Sequence, residues 1–192
     1  MTHRSRLNGG LLIAAAGILL LLPLVTTFDH LLAAWAAMLG IDQPLASVAP
    51  AEVRLAAGLL RSVGLPAAVD GSRLLVWGAA GPAAIQVTWN CVGWQSAVLL
   101  GISLMAGLRG RYPLEARAQV VLIGVLGTIV MNLLRIGLVG LIAAAAGTVP
   151  ALIAHDYGGT LLMIAWLFAL WTFAHRWVLP EPAGDAMEAA TA

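Results

Sequence analysis

The sequence predicts an all-α polytopic membrane protein with about four transmembrane helices. Of its 192 residues, 61% are hydrophobic and only 10% are charged, and the mean hydropathy is +0.94. A soluble domain has about 45–50% apolar and about 25% charged residues. Several apolar stretches also have the length that a membrane-spanning helix requires. We therefore interpret residues 1–192 as a single membrane domain.

The predicted spans follow from the need for about 20 mostly apolar residues to cross a bilayer. They are residues 10–27, 92–108, 118–146 and 157–174. The first span is long, ends without a small-residue cleavage site and is followed by more apolar sequence. We therefore interpret it as an uncleaved helix rather than a signal peptide. The small, polar tail, residues 180–192, is predicted to be disordered.

The arginines, which supply all ten basic residues, orient the spans. Arg4 and Arg6 precede the first span, and Arg176 follows the fourth. The short loop between the second and third spans contains Arg109, Arg111 and Arg117. Because basic residues accumulate in short cytoplasmic loops, this loop and both termini are predicted to be cytoplasmic. The protein is then a multi-pass protein of the cell (inner or cytoplasmic) membrane, in contact with its lipids.

Residues 28–90 are predicted to form an extracytoplasmic segment between the first two spans. Within it, the apolar residues of stretch 51–63 share one helical face, which predicts an amphipathic helix lying on the membrane. That face consists of Val53, Ala56, Ala57 and Leu60. Further along, residues 73–77 and 84–89 flank a turn that contains glycine and proline. This pattern predicts a short hairpin that leads directly to Cys91.

Three polar side chains are predicted to reach the outer leaflet from three different spans. Cys91, Arg135 and His155 each lie about 18 to 21 residues from the cytoplasmic end of their span, which is about 27 to 32 Å of helix. This length matches the hydrocarbon core of one bilayer, about 30 Å. Counting residues fixes depth but not rotation about each helix, so contact between the three side chains is a prediction.

These three residue types suit acyl transfer through a thioester. A free thiol has a pKa of about 8.5, and a nearby histidine or arginine favours the reactive thiolate. His155 can protonate a leaving amine, and Arg135 can stabilise a developing oxyanion or orient the substrate carbonyl. An arginine with apolar residues on both sides costs at least about 2.5 kcal/mol to insert into a membrane. Arg135 therefore needs a partner or a wet cavity.

Three further residues are candidates for supporting roles. Asn132 lies one turn before Arg135, on the same helical face. Gln95 follows Cys91 by four positions, so it shares the face of the thiol and could donate to an oxyanion. Asp156 could orient the neighbouring histidine, although adjacent residues on an α-helix point about 100° apart.

Composition also bears on the other classes of function. The net charge of +1 does not suggest a nucleic-acid partner, and one cysteine excludes an internal disulfide or a cysteine-rich metal site. We predict no metal and no cofactor. One alternative is a non-catalytic membrane subunit or chaperone of an envelope assembly, with Cys91 merely packed. Another is a haem- or quinone-binding protein, because His30 is predicted to lie at the same outer level as His155.

At these residues the chain resembles the exosortase/archaeosortase family of membrane-embedded cysteine transpeptidases. The matching motifs are Cys91-Val92-Gly93, Asn132-Leu133-Leu134-Arg135 and His155-Asp156 with Gly158-Gly159. The resemblance implies that Cys91, Arg135 and His155 are catalytic. It also implies a thiol protease that cleaves the C-terminal sorting signals of secreted proteins at the outer leaflet. Such a signal consists of a short motif, a transmembrane helix and a basic cluster, and the acceptor is either water or an amine.

Overall fold

The computed structural model describes residues 31, 33–110 and 112–179. The predicted first span (residues 10–27), the predicted tail (residues 180–192) and His30 lie outside the described residues. The chain divides into two compact units, Met1–Asp42 and Gln43–Ala192. In the first unit, residues 33–38 are helical.

The described residues form helices and one three-stranded sheet. The helices are α1 (Asp42–Ala46), α2 (Ala49–Ser62), α3 (Trp94–Gly107), α4 (Leu114–Ala146), α5 (Thr148–Ile153) and α6 (Gly159–Phe173). The strands are β1 (Ala67–Asp70), β2 (Arg73–Gly78) and β3 (Gly81–Gln86), which pair antiparallel in the order β1-β2-β3. Two π turns, Ala154–Gly158 and Ala174–Val178, join with α5 and α6 into one helical run.

Three helical segments of the described chain are long and apolar enough to cross a membrane. They are Trp89–Gly107, Leu114–Ala146 and Thr148–Val178. Large apolar side chains on them are exposed, for example Phe168 (76%) and Met105 (67%). Such surfaces suit lipid better than water. The structure thus confirms the coarse prediction of a mostly helical polytopic membrane protein, while four spans and their orientation remain predictions.

Helix α4 connects two differently packed regions. Its 33 residues make a helix of about 50 Å, which exceeds the bilayer core of about 30 Å. Toward its start, α4 packs with α3 and α6, where Leu100, Met163 and Leu170 form a buried cluster. Toward its end, α4 packs on α2 and the sheet. We call this second region the sheet end of the molecule.

The sheet end has its own hydrophobic core. The apolar face of α2 is buried there against Leu74 and Val76 of β2 and the last turns of α4. The face predicted to lie on the membrane therefore packs mainly on protein. A further difference is strand β1, whose sequence Ala-Ala-Val-Asp is too short and too weakly β-forming to have been predicted. Its pairing with β2 extends the predicted hairpin to three strands.

The β2–β3 hairpin is fastened to the end of α4. Ala80 in the hairpin turn donates its N–H to the carbonyl of Ala144, at 2.9 Å. A Cβ on Gly78 would lie 2.7 Å from the Ala144 Cβ, so only glycine allows this close approach. Because β3 leads directly to the turn that holds Cys91, this attachment also fixes the approach to the thiol.

Candidate active site

Cys91 lies at the end of a single 3₁₀ turn, Trp89–Cys91, between β3 and α3. Its backbone N–H donates to the carbonyl of Thr88, at 2.9 Å. Gly93 then takes a left-handed conformation with φ of +79°, which begins α3 and which residues other than glycine adopt only with strain. The half-buried sulfur is therefore held by backbone geometry on both sides.

The structure brings Cys91, His155 and Asp156 into one hydrogen-bonded series. Cys91 Sγ lies 3.4 Å from His155 Nε2, and His155 Nδ1 lies 3.0 Å from Asp156 Oδ1. When the Asp156 carboxylate is ionised it only accepts hydrogen bonds, and the Nδ1–H of His155 is then the donor. Nε2 then faces the sulfur and can accept the thiol proton. This is the order of nucleophile, base and orienting group found in catalytic triads.

The π turn Ala154–Gly158 explains how the adjacent side chains of His155 and Asp156 can form one hydrogen bond. His155 and Asp156 both lie in this turn, where the regular α-helical step between neighbouring side chains does not hold. Isolated π turns inside helices occur frequently at functional sites. The sequence argument against Asp156 assumed a regular α-helix, and the structure places its carboxylate against the imidazole.

The Arg135 side chain contacts the backbone of the same turn and not the Cys91 thiol. Its Nη2 donates to the carbonyl oxygen of His155, at 3.3 Å. Gly159 makes room for this side chain, because a Cβ at that position would lie 2.6 Å from Arg135 Cζ. Within the described residues, no hydrogen bond joins Arg135 directly to Cys91. Arg135 therefore supports the turn that presents His155.

The contact between Gly159 and Arg135 leads to a matched pair of variants. In Gly159→Ala the new methyl group displaces the guanidinium and with it the His155 turn. We expect Cys91 to react with iodoacetamide about tenfold more slowly, which corresponds to about 1.4 kcal/mol in the barrier. Gly158→Ala is the control, because its Cβ would meet no atom within 4 Å. Equal alkylation rates in the two variants would contradict the positioning role of Arg135.

Asn132 joins the 3₁₀ turn that contains Cys91 to helix α2. Its Nδ2 donates to both carboxylate oxygens of Glu52, each at 3.2 Å, and to the carbonyl of Cys91 at 3.1 Å. Asn132 is only 5% exposed. A Cβ on Gly93 would lie 2.8 Å from Asn132 Cγ, so this glycine also creates the space for the amide. Asn132 thereby fixes the backbone that follows the Cys91 Cα.

Glu52 is the site residue that sequence reasoning missed. As an acidic residue in the first turn of α2, it resembles an ordinary stabiliser of the helix dipole. It lies 80 positions before Asn132, so no local spacing connects the two. Thr88 was missed as well, although it precedes Cys91 by only three positions, and its Oγ1 lies 3.5 Å from Cys91 Sγ. Only the folded chain brings Glu52 to Asn132, which also contacts the backbone of Cys91.

The carboxyl of Glu52 should make stability depend on pH. Burial raises its pKa above the ordinary value of 4.5, and the hydrogen bond from Asn132 opposes this shift. The native chain therefore holds this proton more tightly than the unfolded chain. The contribution to stability is fully present below the unfolded pKa and is lost as pH rises through the raised native pKa.

Replacing Glu52 with glutamine removes this pH dependence. The melting temperature of Glu52→Gln minus that of the unmodified protein should increase by about 1–2 °C from pH 4 to pH 8. The effect is small because the carboxyl is partly exposed. Tryptophan fluorescence during heating in detergent micelles measures the difference. Arg54→Ala, an exposed change on the same helix, serves as control because arginine stays charged across this range. A difference that does not change with pH contradicts the prediction.

Gln95 donates to Asn90, and its predicted donation to an oxyanion stays a prediction. Its Nε2 donates to Asn90 Oδ1 at 3.1 Å, and Trp94 Nε1 donates to the same oxygen at 3.2 Å. Among the described residues, no hydrogen bond joins Gln95 to Cys91 or to His155. Gln95 and Trp94 therefore brace the 3₁₀ turn through Asn90. The described part of the chain also holds no group of three or more His, Cys, Asp or Glu side chains placed to bind a metal ion.

Cavity volume does not locate the site. An open cavity of about 550 Å³ is lined by Glu115, His175 and Arg176 among others, near the start of α4 and far from the thiol. A cavity of about 10 Å³ is lined by Asn132, Arg135 and Gly159 among others. Because Cys91 with its partners lies near the small cavity, size alone does not identify the site. The hydrogen-bonded side chains do.

Comparison with known proteins gives a family match that covers the residues of the site. A model of the transmembrane exosortase family matches residues 7–172, a range that includes every residue of the site described above. No curated protein and no solved structure matches the chain. The family match covers most of the chain, and it confirms the predicted resemblance to the exosortase family. The chain therefore belongs to the transmembrane exosortase family.

Proposed function

We propose that this protein is a membrane-embedded cysteine peptidase or transpeptidase that cleaves the C-terminal sorting signals of secreted proteins. The observation that carries the proposal is the series Cys91 Sγ to His155 Nε2 at 3.4 Å and His155 Nδ1 to Asp156 Oδ1 at 3.0 Å. Family membership supports the transpeptidase class. Acting at the extracytoplasmic face, the enzyme forms a thioester on Cys91 and passes the acyl group to water or an amine.

The first half-reaction forms the thioester. His155 Nε2 accepts the proton from Cys91 Sγ, and the thiolate attacks the carbonyl carbon at the scissile peptide bond. The carbonyl oxygen becomes an oxyanion as the carbon turns tetrahedral. When the C–N bond breaks, the imidazolium returns its proton to the departing amine. The part of the substrate before the cleaved bond remains attached to Cys91 as an acyl group.

The second half-reaction releases the acyl group. An acceptor, either water or an amine, attacks the thioester carbon while His155 Nε2 takes the acceptor proton. The C–S bond breaks, and the Cys91 thiolate recovers a proton from the imidazolium. Hydrolysis yields a carboxylic acid, whereas an amine acceptor yields a new amide bond.

Arg135 and Asp156 prepare this chemistry. Asp156 holds the imidazole ring with Nε2 toward the sulfur and stabilises the imidazolium that forms. Arg135 holds the carbonyl of His155 and places a fixed positive charge in a partly buried region where an oxyanion develops. In water such a charge would be screened, and within a protein it acts more strongly.

Trapping the thioester tests the proposal. Membranes from host cells that produce the tagged protein are denatured at acidic pH, where thioesters persist, and Cys91 is examined by mass spectrometry. We expect a peptide adduct on Cys91 that hydroxylamine removes. The sequence of the adduct identifies the substrate. If Cys91 carries only free thiol in actively secreting cells, the proposed chemistry is wrong.

A further inference from the structure

Strand β3 has a backbone edge with unused hydrogen-bonding groups. In an antiparallel pair, alternate residues direct their N–H and C=O toward the partner strand, and the residues between them point away. Val87 N–H donates to the carbonyl of Ser72 at 2.9 Å. The register, which pairs Ile85 with Leu74, therefore assigns the odd-numbered residues of β3 to β2. The backbone groups of Ala84 and Gln86 point away from the sheet.

This edge is open within the described part of the chain. Strand β3 is the last in the order β1-β2-β3, so no described strand pairs with its outer side. The side chains of Ala84 and Gln86 are exposed, while those of their neighbours in β3 are partly buried. Pro82, which has no N–H, occupies the next outward position and limits pairing at that end.

The open edge continues to the thiol. Thr88 has the same outward parity and remains extended, with φ of −95° and ψ of 170°. Its hydroxyl oxygen lies 3.5 Å from Cys91 Sγ. From Ala84 to Thr88 the edge covers about 13 Å, at about 3.3 Å per residue. The Thr88 carbonyl already accepts from the Cys91 N–H. A row of outward backbone N–H groups, without a described backbone partner, thus ends beside the nucleophile.

We propose that the outer edge of Ala84–Thr88 binds the substrate by adding the substrate's extended chain as a fourth strand. This inference rests on the proposed peptidase function and names the surface that recognises the polypeptide. Exposed strand edges bind extended peptides in this way, and the main-chain hydrogen bonds supply the affinity. The bound segment is the one before the scissile bond, since that segment stays on Cys91 as the acyl group.

The direction of the added strand follows from the geometry. Strand β3 runs from its turn toward Cys91. The substrate segment before the scissile bond also runs toward Cys91, because its last carbonyl must reach the sulfur. The two chains are therefore parallel. The free N–H groups of Ala84, Gln86 and Thr88 accommodate about four or five substrate residues, whose side chains alternate between the two faces of the sheet.

Two identical substitutions on opposite edges of the sheet test the proposal. Ala84→Pro removes an outward N–H from β3 and leaves the bonds to β2 intact, a position where edge strands tolerate proline. Ala67→Pro is the control in β1. Trp77 N–H donates to the carbonyl of Pro66, so Pro66 points toward β2. The backbone groups of the next residue, Ala67, therefore point outward, on the other edge of the sheet. The probe is the set of secreted proteins of the host cell. Two quantities are measured, the hydroxylamine-labile adduct on Cys91 and the rate of Cys91 alkylation by iodoacetamide.

We expect Ala84→Pro to form at least about tenfold less adduct, which corresponds to about 1.4 kcal/mol of lost binding. Ala67→Pro should form as much adduct as the unmodified protein, and both variants should be alkylated at its rate. Normal adduct in Ala84→Pro, or equal losses in both variants, would overturn the strand-edge proposal. The absence of adduct from the unmodified protein would instead contradict the thioester chemistry itself.

A second measurement covers the case in which Ala84→Pro disturbs the fold and alters alkylation. In the unmodified protein, amide hydrogen exchange is compared between the free form and the form that carries the adduct. Exchange in residues 83–88 should slow when the adduct is present, and exchange in β1 should not change. Unchanged exchange in residues 83–88 overturns the proposal without any substitution.

Discussion

Replacing Cys91 with serine is expected to abolish the thioester and to lower substrate processing by a factor on the order of 10⁴ or more. Serine has nearly the same size, so the packing of the half-buried turn is preserved. Its hydroxyl gives up a proton much less readily than a thiol does, and the observed position of His155 Nε2 is 3.4 Å from a sulfur atom. Cys91→Ala should behave in the same way. Processing is measured as the ratio of cleaved to uncleaved substrate in cells.

Control measurements separate lost chemistry from lost protein. Membrane levels and melting temperatures of Cys91→Ser and Cys91→Ala should stay close to those of the unmodified chain. Processing that persists in both variants would show that Cys91 is not the nucleophile. That result would favour the alternative of a non-catalytic membrane subunit, in which the cysteine only fills space.

Replacing His155 with alanine is expected to have the second largest effect. The change removes the group that lies 3.4 Å from Cys91 Sγ and that bonds to Asp156. We expect processing to fall by about 10²–10⁴, the usual contribution of a positioned general acid and base. Alkylation of Cys91 by iodoacetamide should slow as well, because the thiolate loses its partner. The adduct and the alkylation rate are measured on the same preparations.

The chain supplies a close control for this variant in His175. Both histidines follow an alanine as the second residue of a π turn in the same helical run, Ala154–Gly158 and Ala174–Val178. His175 packs against Trp171, with ring centroids 5.6 Å apart, near the other end of α4. His175→Ala should leave processing within about twofold. Equal losses in the two variants would show that His155 acts through helix stability and not through the sulfur.

The meeting of Cys91 and His155 could be predicted from sequence because the rise of a helix per residue is constant. Counting from Arg109 and from Arg176 placed these two residues at one predicted level, and in the structure their side chains are in contact. Rotation about each helix could not be counted in this way. Arg135 accordingly lies beside His155, but it bonds to the backbone of His155 and not to the thiol.

The contacts that join distant parts of the chain could not be predicted. Glu52 reaches Asn132 only because α2 folds onto α4, and an isolated acidic residue in a first turn gives no sign of such a partner. Asp156 was judged with the geometry of a regular α-helix, whereas the chain forms a π turn at that point. Strand β1 pairs because β2 offers it an edge, although its own sequence has little preference for a strand.

The length of α4 links the site to the lipid around it. Since 33 residues exceed the hydrocarbon core, the helix can meet a thicker or thinner bilayer by tilting, at a cost of fractions of a kcal/mol per Å of mismatch. Its far end packs on α2 and the hairpin, and the hairpin is fastened to it through Ala80 and Ala144. We expect a tilt of α4 to move these packed elements, and β3 with them, relative to the bilayer. Acyl-chain length in the host membrane is then expected to change the height of Cys91 above the hydrocarbon core.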